Sequence, residues 1–277
     1  MKKILFIILI LGLVATAAFS RGKKEEPAPA SADENEAEVT GGPYAANQTA
    51  TAYIYIHGGY VGKAVAETDG EGYLTVSLDE AFLPHTLAEV DIEAEEWDED
   101  NTVLFDSHGD TYAAKYVEYN GTIYVGVPAG TSITYVEADE NGGPAGNTDL
   151  EKEIIRSQGT MAAYYALISA GEFKIFTEFG GEPIAVTTTS YGGLTKKNSP
   201  GYWSFGQTWI GNITAIEEFI AENGVRFKLS QAKRAEEENA DGLKLWSVAD
   251  VVTGATNSDF KEYLGLAQYA AGKLKIK

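Results

Sequence analysis

The sequence predicts an α+β fold that is rich in antiparallel sheet and carries a few packed helices. Three observations support this fold class. Short runs of Tyr, Thr, Val and Ile in the first half alternate between apolar and polar residues, as half-buried strands do. The 30 glycines among 277 residues supply many turns, and Asn120-Gly121 is a dipeptide that favours a two-residue hairpin. The second half of the chain contains apolar residues at helical spacing.

The region 51–145 is predicted to be built mainly from strands. Each apolar run in it is short and is bounded by Gly, Asn, Asp or Pro, which are turn formers. The run Asn141-Gly142-Gly143-Pro144 interrupts the pattern, and we place a boundary after residue 145. The predicted strands are 53–56, 73–78, 87–92, 102–105, 112–119, 122–127 and 132–136.

The region 146–277 is predicted to mix helices with strands. Helical spacing covers 149–170 and 212–223, and a last helix begins near Ser258. Thr214 and Glu217 have the spacing of a capping box, and Gly224 ends the second helix. The predicted strands are 173–176, 184–189, 225–229 and 243–248, with a charged stretch at 231–242.

The N-terminus has the pattern of an export signal. Lys2-Lys3 precedes an apolar run and then small residues, which predicts a signal peptide over 1–20 that is cleaved after Ser20. Arg21 stands where a bacterial lipoprotein has its acylated cysteine, so no lipid anchor is expected. Residues 21–50 are rich in Glu, Ala and Pro and predict a disordered linker. We expect a periplasmic or extracellular protein, associated with the membrane only if the signal stays uncleaved.

Composition excludes several classes of function. A formal net charge of −20 repels nucleic acid. The absence of cysteine removes disulfides, thiolate metal sites and a cysteine nucleophile. The three histidines are scattered, and no serine lies in a hydrolase motif, so we predict no metal site and no catalytic residue. Whether the chain is an enzyme stays open, with an electron carrier favoured over a stand-alone enzyme.

The most informative motif lies between the last predicted strand and the C-terminal helix. Asp250-Val-Val-Thr253-Gly254-Ala255-Thr256 is a turn of small residues that leads into a helix N-terminus. Free N–H groups and the helix dipole favour an anion there, so a phosphate ester on the Thr256 hydroxyl needs no Lys or Arg. Two alternatives stay open: the motif is only a tight helix entry, or the Thr256 hydroxyl caps the helix.

This motif resembles the D-x-x-[ST]-G-A-[ST] signature of the FMN-binding domain family. That family includes the C subunit of the sodium-translocating NADH:quinone reductase, the G subunit of the Rnf complex and exported electron-transfer flavoproteins. The resemblance implies an FMN-binding-like domain over 146–277, with FMN linked by phosphoester to Thr256. It also implies that a separate flavin transferase attaches the FMN from FAD, and that Asp250, Thr253, Gly254 and Ala255 form the recognised turn.

A second stretch is similar to a loop that lies against the flavin in that family. Asn198-Ser199-Pro200-Gly201 occupies this position, which makes Pro200 and Gly201 candidate cofactor-binding residues. Aromatic residues follow the loop, and Trp203 is the candidate among them for stacking on a flavin ring. Such aromatic residues also form ordinary protein cores. The cluster comprises Tyr202, Trp203, Phe205 and Trp209.

The sequence therefore predicts an exported flavoprotein that carries covalent FMN and acts in electron transfer. Its partners would be the flavin transferase and an electron donor and acceptor that the sequence does not identify. Two alternatives remain: a non-redox exported β-rich module for binding or adhesion, and a degenerate member of the family that has lost its flavin.

Overall fold

The computed structural model describes residues 42–56, 58–107, 109–186, 193–199, 201–203 and 206–277. The predicted signal peptide lies outside these residues, as does the linker up to residue 41. The described part contains 5 helices and 13 strands in antiparallel sheets. Strands account for 35% of the residues and helices for 23%, which confirms the sheet-rich α+β class. No helix in the described part is long and apolar enough to cross a bilayer.

The elements follow one another with strands first and helices mainly in the second half. The strands are β1 (Thr49–Ile56), β2 (Tyr60–Thr68), β3 (Leu74–Phe82), β4 (Thr102–Asp106), β5 (Asp110–Ala114), β6 (Tyr116–Tyr119), β7 (Thr122–Ala129), β8 (Ser132–Glu137), β9 (Lys174–Phe176), β10 (Ile184–Ala185), β11 (Ala232–Glu238), β12 (Lys244–Val248) and β13 (Val251–Val252). The helices are α1 (Pro84–Leu87), α2 (Leu150–Ile155), α3 (Gln158–Ser169), α4 (Trp209–Asn223) and α5 (Phe260–Ala271).

Four antiparallel sheets organise these strands. The first is the meander β1-β2-β3, and the largest has the order β10-β9-β6-β7-β8. Strands β4 and β5 form a two-stranded ribbon, and β11, β12 and β13 form the last sheet. Most pairs are formed by consecutive strands, because antiparallel neighbours need only a hairpin connection, whereas β6 pairs with β9 across a long stretch of chain.

Two hydrophobic cores share the first sheet. One core packs this sheet against α4 and α5, with Ala64 of β2, Ile216 of α4 and Leu264 of α5 fully or almost fully buried. The other core packs Val61 and Phe82 of the same sheet against β4 to β8, α2 and α3. Residues from both predicted regions, 51–145 and 146–277, enter each core. The boundary predicted after residue 145 therefore does not separate two cores.

Local turn chemistry is where sequence and structure agree best. Asn120 and Gly121 join β6 to β7 and both have positive φ, 53° and 78°, as a two-residue hairpin turn requires. Gly224 ends α4 with a φ of 67°, a conformation that favours glycine. These two predictions are confirmed.

The end of the predicted linker is corrected by the structure. Tyr44 is buried, with 5% of its surface exposed, and it forms a β-bridge with Ile276 near the C-terminus. Strand β1 already begins at Thr49. Residues 42–50 are therefore part of the fold, because an aromatic side chain within a polar stretch finds an apolar surface to cover.

Several predicted elements also differ from the structure. The strand predicted at 87–92 is wrong, because Pro84 begins the short helix α1 and only Glu89 forms a bridge, to Ala113. The helix predicted over 149–170 is two helices, since the Ser157 side chain caps a new one. The strand predicted at 225–229 is a bend followed by a 3-10 turn. Strand β2 was not predicted, and the charged stretch 231–242 contains strand β11.

The capping box predicted for α4 is also wrong. The helix begins at Trp209, three residues earlier than predicted, and the Thr208 hydroxyl accepts from the N–H of Gly211. The Glu217 carboxylate instead accepts from the N–H of Leu78 at 2.7 Å. Aromatic Trp209 extends the helix because its ring is buried against the C-terminal helix.

Candidate functional site

The turn that the motif predicts is a β-hairpin followed by an irregular segment. Ser247 and Val248 of β12 pair with Val252 and Val251 of β13, and Asp250 lies in the connecting turn with a φ of 68°. The Asp250 carboxylate is exposed and lies 2.9 Å from the Lys233 ammonium. The hydrogen bond and charge of Lys233 lower the pKa of Asp250. Asp250 thus belongs to the hairpin tip, on the protein surface.

Thr253 and Ala255 hold the irregular segment against β12. The Thr253 hydroxyl donates to the Trp246 carbonyl at 2.9 Å and accepts from the N–H of Ala255. Both residues are buried, with Ala255 fully inaccessible. The N–H of Trp246 in turn donates to the Ala255 carbonyl at 2.8 Å. These contacts fix the path of the chain immediately before Thr256.

Gly254 is required by a close approach to helix α4. A Cβ atom built on Gly254 would lie 2.9 Å from the Cβ of Ala215, which is closer than real Cβ contacts. Its φ is not in the left-handed region, so conformational freedom is not the reason for this glycine. The Gly254-Ala215 contact brings the motif onto α4.

Thr256 is held by a single side chain of that helix. Asn212 Oδ1 accepts from the Thr256 N–H at 2.6 Å, from the Thr256 hydroxyl at 3.2 Å and from the Asn257 N–H at 3.1 Å. The N–H groups of Thr256 and Asn257 are therefore already occupied and are not free for a phosphate. A cation is present instead, since Arg234 Nη1 donates to the Thr256 carbonyl at 2.8 Å.

Thr256 does not cap the C-terminal helix. Helix α5 begins at Phe260, and its N-cap residue is Asp259, whose side chain makes no capping hydrogen bond. Three residues separate Thr256 from the first helical residue, and the last two of them, Ser258 and Asp259, form a turn. The capping alternative for Thr256 is thus excluded by the structure.

A pocket of about 240 Å³ lies directly beside Thr256. The next three residues of the chain, Asn257 to Asp259, form part of its wall, and Asn212 forms another part. Thr256 itself is partly buried next to this wall. Thr256 does not line the pocket itself. The rest of the lining consists of Gly58, Lys196 and five aromatic side chains, namely Tyr60, Tyr202, Trp203, Trp209 and Tyr263.

Hydrogen bonds link these aromatic residues to one another. The Tyr60 and Tyr202 hydroxyls lie 2.8 Å apart, and Trp209 Nε1 donates to the Tyr263 hydroxyl at 3.0 Å. Trp203 is 58% exposed at the pocket and has a φ of 49°, an unusual conformation for a bulky residue. The pocket therefore has a fixed aromatic wall and one accessible aromatic edge.

A buried ion pair lies at the same pocket. The Lys196 ammonium pairs with the Glu80 carboxylate, and their side chains are 3% and 0% exposed. The ammonium also lies 3.4 Å from the Tyr60 ring centre and 4.5 Å from that of Tyr202, in cation–π contact. Burial raises the pKa of Glu80 and lowers the pKa of Lys196, and their mutual attraction opposes both shifts.

The pocket wall contains an unsatisfied amide. The side-chain nitrogen and oxygen of Asn257 are buried and have no hydrogen-bond partner among the residues that the structure describes. Buried polar groups are normally paired, so an unpaired amide at a pocket requires an explanation. Both atoms are almost inaccessible, so a ligand that offers both an acceptor and a donor would satisfy them only after the side chain turns toward the pocket.

The second predicted stretch reaches the pocket only in part. Trp203 lines it, whereas Ser199 is buried and donates its hydroxyl to the Thr195 and Gly193 carbonyls. Gly201 lies in a turn and does not line the pocket. Pro200 and Phe205 lie outside the described residues.

Sequence reasoning missed Glu80 and Asn212 as parts of the site. Glu80 lies within an alternating strand pattern, and nothing in the sequence shows that Asn212 is buried. The sequence offers Lys196 and Lys197 either as a contact for an anionic group or as ordinary exposed lysines, and the structure buries Lys196 against Glu80. Within the described part of the chain, no group of three or more His, Asp or Glu side chains is arranged to hold a metal.

No family model, no curated protein and no solved structure matches this chain. The functional interpretation therefore depends on the geometry of the site.

Proposed function

We propose that the protein is an exported flavoprotein that carries FMN in phosphoester linkage to Thr256 and acts in electron transfer. One observation carries the proposal: the partly buried Thr256 is followed directly by Asn257 and is bonded to Asn212, and both of these residues line a pocket that contains five aromatic side chains. An acceptor hydroxyl beside a site for a planar ring is the arrangement that a covalently held flavin needs.

The residues of the site fit this cofactor in three respects. Tyr202 and Trp203 offer flat apolar surfaces to a ring system. The Asn257 amide has no hydrogen-bond partner among the described residues and would pair with the polar edge of such a ring once its side chain turns toward the pocket. Arg234 lies at the Thr256 carbonyl and supplies a positive charge near the phosphate of an ester.

Attachment at Thr256 is a phosphoryl-group transfer with FAD as the donor. A bond forms between Thr256 Oγ1 and the phosphorus that bears the riboflavin moiety, and the bond from this phosphorus to the bridging oxygen breaks. AMP leaves with that oxygen, and the hydroxyl proton is released. No electrons are exchanged in this step, and a separate flavin transferase catalyses it.

Bound FMN would supply one- and two-electron transfer, while the chain supplies attachment, orientation and shielding from water. The net charge of −20 favours redox partners that present a positively charged surface.

The proposal is tested by intact mass after co-expression with a flavin transferase. We expect a gain of one FMN less one water, with flavin fluorescence that persists on a denaturing gel. Thr256→Val, which keeps the side-chain size but removes the hydroxyl, should abolish the gain. Thr256→Ser keeps the hydroxyl and should be loaded. An unmodified wild-type mass beside a transferase control that loads its own substrate would refute the proposal.

A second candidate is a non-redox binding module, and the size of the pocket favours it. At about 240 Å³ the pocket is smaller than the roughly 300–1,000 Å³ of typical ligand sites. A small planar ligand that pairs with the Asn257 amide would fit without a covalent bond. This candidate predicts an unmodified, colourless protein and no role for the Thr256 hydroxyl.

A further inference from the structure

We propose that Asn212 is a positioning residue that holds the Thr256 hydroxyl for phosphoester formation. This inference depends on the proposed function, because it concerns the attachment of FMN at Thr256. Asn212 is the fourth residue of α4 and is only 2% exposed. It forms part of the pocket wall and contacts Thr256 directly.

The orientation of the Asn212 amide is fixed by its contacts on both sides. Its Nδ2 donates to the carbonyls of Gln207 and Thr208, at 2.5 and 3.1 Å. Since these partners are acceptors, the nitrogen must face them and the oxygen must face Thr256. The oxygen then accepts from Thr256 N–H and hydroxyl and from the Asn257 N–H.

This arrangement controls the direction of the Thr256 oxygen. With its proton directed to Asn212, the hydroxyl presents its lone pairs away from α4, and the side chain keeps one rotamer. A neutral amide oxygen does not take up the proton, so Asn212 orients the nucleophile and leaves proton removal to other groups. Orientation of a nucleophile contributes to rate because it removes the need to order it during the reaction.

The same contacts allow the ester to form without loss of the turn. Asn212 Oδ1 has three donors, and esterification of Thr256 removes only the hydroxyl. The two backbone N–H donors remain, so the buried oxygen stays satisfied. The contact of Gly254 with Ala215 holds the turn to α4 at a second, independent point.

The experiment compares loading rates of folded variants at saturating FAD and transferase, followed by intact mass. Asn212→Leu removes the polar contacts at similar volume. Asn223→Ala is the matched control, since Asn223 is in the same helix and its side chain donates to the Phe219 carbonyl. Thermal unfolding and far-UV circular dichroism define the folded fraction of each protein.

We expect Asn212→Leu to lower the maximal loading rate by about 10- to 100-fold, with Asn223→Ala unchanged. The KM for the protein substrate should change little, because the transferase still recognises the same surface turn. Hydrogen exchange at the Thr256 and Asn257 amides should accelerate in Asn212→Leu, with or without flavin.

Two results would overturn the inference while leaving the proposed function intact. One is a wild-type protein that is loaded with FMN and an Asn212→Leu variant whose maximal loading rate is within twofold of the wild-type rate. The other is an Asn212→Leu variant in which loading falls while hydrogen exchange at the Thr256 and Asn257 amides stays at the wild-type rate, which would show that the loss does not act through these contacts. If the wild type itself does not load beside an active transferase control, the proposed function fails and this inference fails with it.

Discussion

Replacing Lys196 with methionine removes the only cation that the structure places on the buried Glu80 carboxylate. Glu80 is fully inaccessible and Lys196 is 3% exposed, so water cannot replace the lost partner. Methionine has a similar length and remains packed against the Tyr60 ring, which keeps the cavity contribution small. Breaking a buried pair on one side destabilises by about 3–5 kcal/mol, and this is the loss that we expect.

Urea unfolding at pH 7 measures this loss. With a slope of about 3 kcal/mol per molar urea, the midpoint of Lys196→Met should fall by about 1–2 M. The double variant Lys196→Met with Glu80→Gln no longer buries an unpaired charge, so it should recover much of the difference. Burial already raises the pKa of Glu80, and loss of Lys196 raises it further.

The pH dependence of the variant has a defined sign. Because the folded-state pKa of Glu80 is raised above that of the unfolded chain, the folded protein binds the extra proton. The deficit of Lys196→Met should therefore shrink as the pH falls through the raised pKa and level off below about pH 4, the range of an ordinary glutamate. The double variant should not show this recovery.

Lys197→Met is the matched control for this experiment. Lys197 pairs with Glu217 at 2.7 Å, but its side chain is 34% exposed, and such surface pairs contribute about 0–1 kcal/mol. A loss in Lys196→Met no larger than that in Lys197→Met would refute the reasoning. A double variant with Glu80→Gln that is no more stable than Lys196→Met would refute it as well.

Two further predictions concern stability elsewhere in the fold. Burial lowers the pKa of His85, but its hydrogen bond and charge contact with Glu151 outweigh this and raise it above 6.5. The stabilisation that protonated His85 contributes to the fold is present below about pH 6.5 and is lost as the pH rises through the raised pKa. The difference in Tm between wild type and His85→Gln should therefore shrink from pH 6 to pH 9. A difference that stays constant over this range would contradict the prediction. Gly254→Ala places a Cβ 2.9 Å from Ala215 and should destabilise by about 1–3 kcal/mol in urea unfolding, with Ala215→Gly restoring most of the loss. Equal stability of Gly254→Ala and wild type would show that the contact relaxes freely.

Elements whose signals are local could be predicted from the sequence. Asn120-Gly121 specifies its hairpin through the positive φ of both residues, and Gly224 ends α4 for the same reason. The prediction of a strand at 87–92 is wrong because an alternating pattern of this length is also compatible with a short helix followed by a bridge. Pro84 favours the helix, since it stands at the first helical position. Periodicity over six residues does not distinguish a strand from a short helix, whereas a proline just before the pattern favours the helix.

The candidate site likewise contains residues that the sequence reveals and residues that only the packing of the fold brings together. The turn around Thr256 is contiguous in sequence and could be recognised from its small residues. Asn212 and Glu80 belong to other elements, and only the packing of α4 and β3 brings them to the site. A buried asparagine or glutamate has no periodic signature, so these residues become visible only when their partners are known.

Packing alone explains most of the motif, and this makes Thr256 the decisive residue. Gly254 is needed for the approach to α4, and Thr253 and Ala255 fix the segment on β12, whether or not FMN is attached. At Thr256 the backbone N–H and carbonyl make the short contacts, while the hydroxyl adds one bond of 3.2 Å to an oxygen that has two other donors. The fold therefore has little need for a hydroxyl there. Thr256→Val should leave stability within about 1 kcal/mol of wild type, the usual contribution of a single hydrogen bond, so a loss of flavin loading in that variant would report chemistry and not folding.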